Sequence, residues 1–164
     1  MRAILYRKNR EVLANTKTLM ENIGDVSIPS KLIPYRNHIS DLCDQIASLA
    51  SQNINHLNSL DMVDILDEVV SNTRIALLLS SRLSSLHASP IVRASDSDDI
   101  SLLILGWLHQ VHPVTSAYPA AFSDGGWSVR PFSGLPIYRI PTIDQWGLLY
   151  QPLIFHEFGH ALHG

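Results

Sequence analysis

The chain has 164 residues, of which 46% are hydrophobic and 16% are charged, and its formal net charge is −3. High apolar content with low net charge excludes intrinsic disorder, and the slight acidity excludes a broadly basic nucleic-acid-binding surface. The single cysteine, Cys43, excludes an internal disulfide framework. The length is that of one domain, or of a small helical unit joined to a second part.

The N-terminal residues do not have the pattern of a signal peptide. Only four apolar or aromatic residues, 3–6, lie between the charges of Arg2 and Arg7, whereas a signal peptide needs an apolar stretch of about 7–15 residues. The longest apolar run, residues 100–108, is shorter than the roughly 20 residues that span a bilayer. We therefore expect a soluble, cytoplasmic protein without a membrane partner.

Helical periodicity dominates the sequence before residue 112. The pattern predicts a first helix over residues 3–23, ending before Gly24, and a second amphipathic helix after Pro34. Ser59 is the expected N-cap of a third and longest helix. Its apolar stripe contains Met62, Ile65, Leu66, Val69, Thr73, Ala76, Leu79 or Ser80, Leu83 and Leu86. This stripe is typical of an ordinary bundle core.

A fourth helix is predicted over residues 100–109, with Asp96 or Ser97 as its cap. Because this segment is apolar on every side, we expect it to be buried all round.

The sequence changes character after residue 112, where six of the nine prolines are found. Residues 122–127 contain Asp-Gly-Gly, a turn signal that predicts a connection between two short strands. Residues 136–141 alternate in polarity between two prolines and predict a further strand. Thr142 with Gln145 resembles a capping box that opens a helix toward the C-terminus, and Pro152 is expected to kink or restart that helix.

His156-Glu157-x-x-His160 is the strongest chemical motif in the chain, and it is the signature of zinc metallopeptidases. Residues four apart on a helix share one face, so both imidazoles can reach one metal ion. Glu157 lies about 100° further round the axis. From there its carboxylate can take a proton from a water that zinc has made more acidic.

The residues around the motif are apolar, apart from Glu157 itself. They predict a helix that is buried on most faces, in which the polar groups of the motif need a reason to be present. Gly159 disfavours a helix, which suggests close packing at that position. The alternative interpretation is a helix with two surface histidines.

The sequence HEFGHALHG (residues 156–164) resembles the active-site helix of zincin metallopeptidases, and its wording is most similar to that of the thimet oligopeptidase-like family. The resemblance covers residues 155–164. It implies that His156 and His160 bind zinc, that Glu157 is the general base, and that a glutamate on a later helix is the third ligand. We therefore expect the third ligand beyond Gly164, in a longer enzyme of which this chain is the N-terminal portion. A metzincin would have glycine where this chain has His163.

Other residues of the chain are weaker candidates for the third ligand. His163 shares a helical face with His156 and His160, but it lies about 10.5 Å from His156 along the axis. One straight helix cannot readily bring three imidazoles to about 2.0–2.1 Å from one zinc. The upstream candidates are His109, His112, Asp124 and Cys43. Tyr138 and Arg139, on the predicted strand, are candidates to line a substrate cleft.

These observations predict a mainly α, α+β protein with a helical N-terminal region (1–112), followed by a small sheet and a zincin-type active-site helix (113–164) that belong to an incomplete catalytic domain. The predicted function is zinc-dependent hydrolysis of peptide bonds in a peptide or protein substrate, with Zn²⁺ as cofactor. Two alternatives remain open. One is a non-catalytic helical interaction protein that keeps a vestigial zincin helix, and the other is a different metal hydrolase with an upstream third ligand.

Overall fold

The computed structural model describes residues 1–59, 65–88, 91, 99–112, 119–123, 126–132, 135–141 and 151–163. The chain divides into two compact units. The first consists of Met1–Val26 with Asn37–Val92, and the second of Ser27–Arg36 with Arg93–Gly164. Among the described residues, no helix combines the length and the apolar character needed to cross a membrane.

The first unit is built from long amphipathic helices. Helix α1 covers Arg2–Gly24 and helix α2 covers Ile33–Asn58, so both predicted helices are confirmed. Their buried residues recur at three- and four-residue spacing, which places them on one face of each helix. In α1 these residues are Leu5, Asn9, Val12, Thr16 and Ile23, and in α2 they include Ile39, Cys43, Ile46, Ala50, Asn53 and Leu57.

Helix α3 covers Leu66–Arg82 and continues into a π-helical turn at Leu83–Ala88. The predicted stripe is confirmed for Val69, Thr73, Ala76, Ser80 and Leu83, which are buried. The prediction of Ser59 as N-cap is wrong, because its hydroxyl donates to the His56 carbonyl at the end of α2 and Ile65 precedes the first turn of α3. Met62, Asp96 and Ser97 lie outside the described residues.

A layer of buried polar side chains lies within this apolar bundle. The Asn9 amide donates to the Leu5 carbonyl and to the Thr73 hydroxyl, both at 2.9 Å. Asn53 donates to Asn9 Oδ1 at 3.0 Å, and the Thr73 hydroxyl donates to the Val69 carbonyl at 2.7 Å. Burying amides is tolerable only when they are hydrogen-bonded, and this layer meets that condition with one side chain from each of α1, α2 and α3.

The second unit contains helix α4, Asp99–Val111, whose predicted position is confirmed. The expectation that it is buried on every side is wrong. Leu102, Leu105 and Leu108 are buried, but Leu103 and Trp107 are more than half exposed. The helix packs through one face, against β1 and α5, so its uniform apolarity does not translate into uniform burial.

The sheet of this unit has three strands, β1 (Ala120–Ser123), β2 (Ser128–Phe132) and β3 (Leu135–Ile140), in the order β1-β3-β2. The predicted strand at 136–141 is confirmed as β3. The prediction that Asp-Gly-Gly joins two short strands is confirmed, since β1 ends at Ser123 and β2 begins at Ser128. In the sheet these two strands are separated by β3. It pairs in parallel with β1 (Ala120 with Ile137) and antiparallel with β2 (Val129 with Tyr138).

The central place of β3 follows from its composition. Ile137, Tyr138 and Ile140 are all nearly fully buried, so this strand buries apolar side chains on both of its faces, as an interior strand does. Tyr35, in the Ser27–Arg36 segment of the same unit, packs its ring against Phe122 of β1, with the ring centres 5.2 Å apart.

The mainly α, α+β fold predicted from the sequence is confirmed. The boundary of the compact units falls near residue 93 and not at 112, since α4 packs with the sheet. Compact units are defined by contacts and do not by themselves define domains, so the predicted domain division stays a prediction. The proposed capping box at Thr142 lies outside the described residues.

Candidate metal centre

The motif lies on the last described helix, α5, which covers Gln151–His163. Ile154 and Phe158 are buried on the side of α5 that packs against β2 and α4. Pro152 is the second described residue of this helix. One side of the helix is thus anchored in the unit, and the opposite side carries the motif histidines.

His156 and His160 stand side by side on the exposed face of α5. Their Nε2 atoms are 3.1 Å apart, and the rings meet edge to face with centres 4.7 Å apart. Two nitrogens bound at 2.0–2.1 Å to a tetrahedral zinc are separated by about 3.3 Å. The observed separation is therefore close to that of a zinc-bound pair, and the two residues fit the metal that the motif implies.

Glu157 completes this group. Its carboxylate and the ring nitrogens of His156 and His160 all lie within 4.8 Å of one another, and its side chain is half-buried, whereas the histidines are exposed. The carboxylate therefore lies beside the histidine pair, toward the anchored side of the helix. From this position it can reach a small molecule held at the histidines.

In the described part of the chain, the group that could hold a metal consists of His156, Glu157 and His160. None of the other candidate ligands joins it. His163 is exposed on the same helix, and Asp124 lies outside the described residues. Cys43 is fully buried in the first unit, and burial, helped by the charge of Asp44, raises the pKa of its thiol to about 11. A thiol held protonated in this way is a poor metal ligand.

Below the motif, on the anchored side of α5, lies a pair of buried polar side chains. His109 of α4 and Tyr138 of β3 are 6% and 1% exposed, and His109 Nε2 is 2.8 Å from the Tyr138 hydroxyl. The His109 ring also meets the Phe158 ring edge to face, with centres 5.1 Å apart. Burial lowers the pKa of His109. Burial, with the charge of Glu157 as a smaller cause, raises the pKa of Tyr138.

The expectation that Tyr138 lines a substrate cleft is wrong, and the bond between His109 and Tyr138 was not predicted from the sequence. Tyr138 does not line an open cleft, because its ring is buried and its hydroxyl is bonded to His109. Arg139 is half-buried. A signal for the pair was present in the sequence, since His109 and Tyr138 are polar residues among leucines and isoleucines that predict burial. A buried polar group needs a partner, but the sequence does not say which one.

Two further expectations about α5 are wrong. The helix is not buried on most faces, since Leu153, Phe155 and Leu162 are all exposed by more than a third. Nor is Gly159 closely packed, because a Cβ built there meets no described atom within 4 Å. Burial therefore does not account for the motif histidines, and their importance depends on their mutual geometry.

Comparison of the chain with protein-family models, with curated proteins and with solved structures gives no match. The resemblance to zincins depends on the motif alone, and it stays a prediction.

Proposed function

We propose that the chain belongs to a zinc-dependent peptide hydrolase in which His156 and His160 hold the metal, Glu157 is the general base, and the third ligand comes from outside the described residues. The observation that supports this most is the 3.1 Å separation of the two Nε2 atoms, with the Glu157 carboxylate within 4.8 Å of both. Surface histidines four apart on a helix need not point their nitrogens at one another. Here both nitrogens converge on one exposed point that a substrate can approach.

A zinc ion at this point would supply Lewis-acid polarisation of the peptide carbonyl and increase the acidity of water. The chain's own residues do the rest. His156 and His160 present neutral ring nitrogens as ligands. The Glu157 carboxylate takes a proton from the attacking water and returns it to the amine of the leaving peptide. Anchoring of α5 through Ile154 and Phe158 keeps the three side chains in this arrangement.

The substrate of such a site is a peptide or protein segment. The exposure of the histidine pair supports this class, because a polypeptide cannot enter a closed cavity without rearrangement. The low overall charge gives no support for a nucleic-acid partner. The single cysteine suits a reducing compartment, and we propose that the protein acts in the cytoplasm.

Zinc binding is the first test. We expect the chain to bind zinc, as measured by competition with a chromophoric chelator, and His156→Ala and His160→Ala each to weaken binding. The expected loss is at least about a hundredfold, above the 10–100-fold that loss of an outer partner costs. His163→Ala, which removes an exposed histidine of the same helix, is the matched control and should change little. A chain that binds no zinc, or whose His163→Ala variant loses binding equally, contradicts the proposal.

Hydrolysis is the second test. Glu157→Gln should keep zinc and lose peptide cleavage by about 10²–10⁴-fold, the usual contribution of a general base. Cleavage that persists in this variant would show that Glu157 is not the base. A longer chain that supplies the third ligand and binds zinc, but cleaves no peptide, would favour the rival function, a non-catalytic protein that keeps a zincin-like helix.

A further inference from the structure

A cavity of about 420 Å³ lies in the first unit, between α1 and the C-terminal end of α3. Its volume is within the range of about 300–1,000 Å³ that is usual for small-molecule sites. One residue of α1 lines it, together with residues of α3 and of the π-helical turn that follows: Asn15, Leu77, Ser80, Ser81, Ser84 and Ser85. The cavity shares no residue with the candidate metal centre.

The lining of the cavity is polar but uncharged. All of these described side chains except Leu77 carry a hydroxyl or an amide, and none carries a charge. A serine hydroxyl can both donate and accept a hydrogen bond, and so can the amide of Asn15. An ionic ligand would find no opposite charge among these side chains, and burying an unpaired charge is costly. The lining therefore suits a neutral molecule whose own groups also donate and accept.

Ser80 gives independent support for a ligand, because it lines the cavity and is only 6% exposed. Other hydroxyls of this helix bond to their own backbone. Thr73 donates to the Val69 carbonyl at 2.7 Å, and Ser85 donates to the Ser81 carbonyl at 2.8 Å. The Ser80 hydroxyl makes no hydrogen bond in the described part of the chain. Since buried polar groups generally have a partner, the Ser80 hydroxyl is available to a group held in the cavity.

The π-helical turn Leu83–Ala88 agrees with this interpretation. Such turns are rare, and they occur frequently at functional sites. Here the turn carries Ser84 and Ser85, which are both exposed, so the cavity is open to solvent on this side and a ligand can enter without rearrangement. Leu77 is half-buried and supplies an apolar surface on which the C–H face of a ring can pack.

We propose that this cavity binds a neutral, hydroxyl-rich small molecule of the size of one monosaccharide, with Ser80 and Asn15 as hydrogen-bonding partners of its hydroxyl groups. A pyranose ring has the required chemistry, since its hydroxyls donate and accept and its C–H face is apolar. The proposal does not depend on the proposed function, because the cavity and the metal centre have no residue in common.

The first experiment measures binding by the intact chain. Neutral monosaccharides that differ in the configuration of their hydroxyls, beginning with D-glucose, are titrated while backbone amide signals are followed by NMR. At least one sugar should shift the amides of Asn15, Ser80 and Ser84 saturably and leave that of Phe158 on α5 unchanged. Its 6-phosphate and its 2-amino analogue should bind at least about tenfold more weakly. No saturable shift with any neutral sugar, which would mean a cavity that holds only water, overturns the proposal, and so does a charged analogue that binds as tightly as the neutral sugar.

The second experiment locates the bound sugar. Ser80→Ala should raise the dissociation constant about three- to tenfold, as expected for one neutral hydrogen bond, without lowering the midpoint of urea unfolding, because the hydroxyl has no bond within the described chain to lose. Ser71→Ala, which removes an exposed hydroxyl of α3 outside the lining, is the matched control and should leave the dissociation constant unchanged.

A variant that fills the cavity completes the test. Ser84→Phe places a large ring at an exposed position of the lining, so it should abolish sugar binding while the helical circular dichroism is retained. Binding that survives in Ser84→Phe, an unchanged dissociation constant in Ser80→Ala, or an equal loss in Ser71→Ala would each place the sugar elsewhere and refute the proposal.

Discussion

The polar layer of the first unit gives a quantitative prediction about stability. Replacing Asn9 by leucine keeps a side chain branched in the same way, but removes the oxygen that accepts from Asn53 and the amide that donates to Thr73. Asn53 is 1% exposed, so water cannot take over the lost bond. We expect Asn9→Leu to destabilise the first unit.

The magnitude follows from the groups left without a partner. In Asn9→Leu the buried Asn53 amide loses its acceptor, which costs about 1–3 kcal/mol, whereas Thr73 keeps its bond to the Val69 carbonyl. In Asn53→Leu the Asn9 oxygen loses its donor, with a cost of about 1–2 kcal/mol. The double variant removes both the Asn53 amide and the Asn9 oxygen, so neither is left buried without a partner. Its loss should therefore be smaller than the sum of the two single losses by about 1–2 kcal/mol.

Urea unfolding of the four proteins of this cycle provides the measurement. Far-UV circular dichroism reports chiefly on the long helices. Tryptophan fluorescence reports on the second unit, to which all three tryptophans, at 107, 127 and 146, belong. Asn15→Leu, at an exposed position of α1, is the control and should change stability by less than about 0.5 kcal/mol. Additive losses in the double variant would refute the interpretation that the two amides act as one buried network.

Three further predictions concern single residues. The pKa of His109 is lowered by burial below its ordinary 6.5, so the unfolded chain binds this proton more readily. Stability should therefore be unaffected above about pH 6.5 and fall below it, and His109→Gln should flatten that fall in a pH series of urea transitions. Gly159→Ala should raise the free energy of unfolding by up to about 1 kcal/mol, since no described atom lies within 4 Å of the added Cβ. A loss of stability would mean that this space is filled. Cys43, with a thiol pKa of about 11, should react with a disulfide reagent at pH 8 about two orders of magnitude more slowly than an ordinary thiol. Fast labelling of the folded chain would contradict its burial.

The long helices could be predicted because each segment carries its own signal. The stripes that include Val12, Ile46 and Val69 repeat at helical spacing over many turns, and burial follows that spacing. The same reasoning placed His156 and His160 on one face. It could not identify Asn9 and Asn53 as partners, because they are 44 residues apart in the chain and nothing local in the sequence pairs them.

The remaining errors have a common physical origin, since they concern contacts between segments that are not neighbours in sequence. The turn signal at Asp-Gly-Gly correctly marked the end of one strand and the start of another, but strand order depends on which strand can be covered on both faces. Likewise, the composition of α4 shows how apolar the helix is and not which of its sides has a neighbour. The bond between His109 and Tyr138 joins two such segments.

The order of strands in the sheet also affects how the chain can fold during synthesis. Strands β1 and β2 leave the ribosome before β3, yet each pairs with β3. Neither strand can complete its pairing with β3 until Ile140 has emerged from the ribosome. The first unit is built mainly from consecutive helices and can fold earlier, as N-terminal parts of growing chains generally do. We therefore expect the helices of the first unit to form before Ser27–Arg36 can pack against the strands of the second unit.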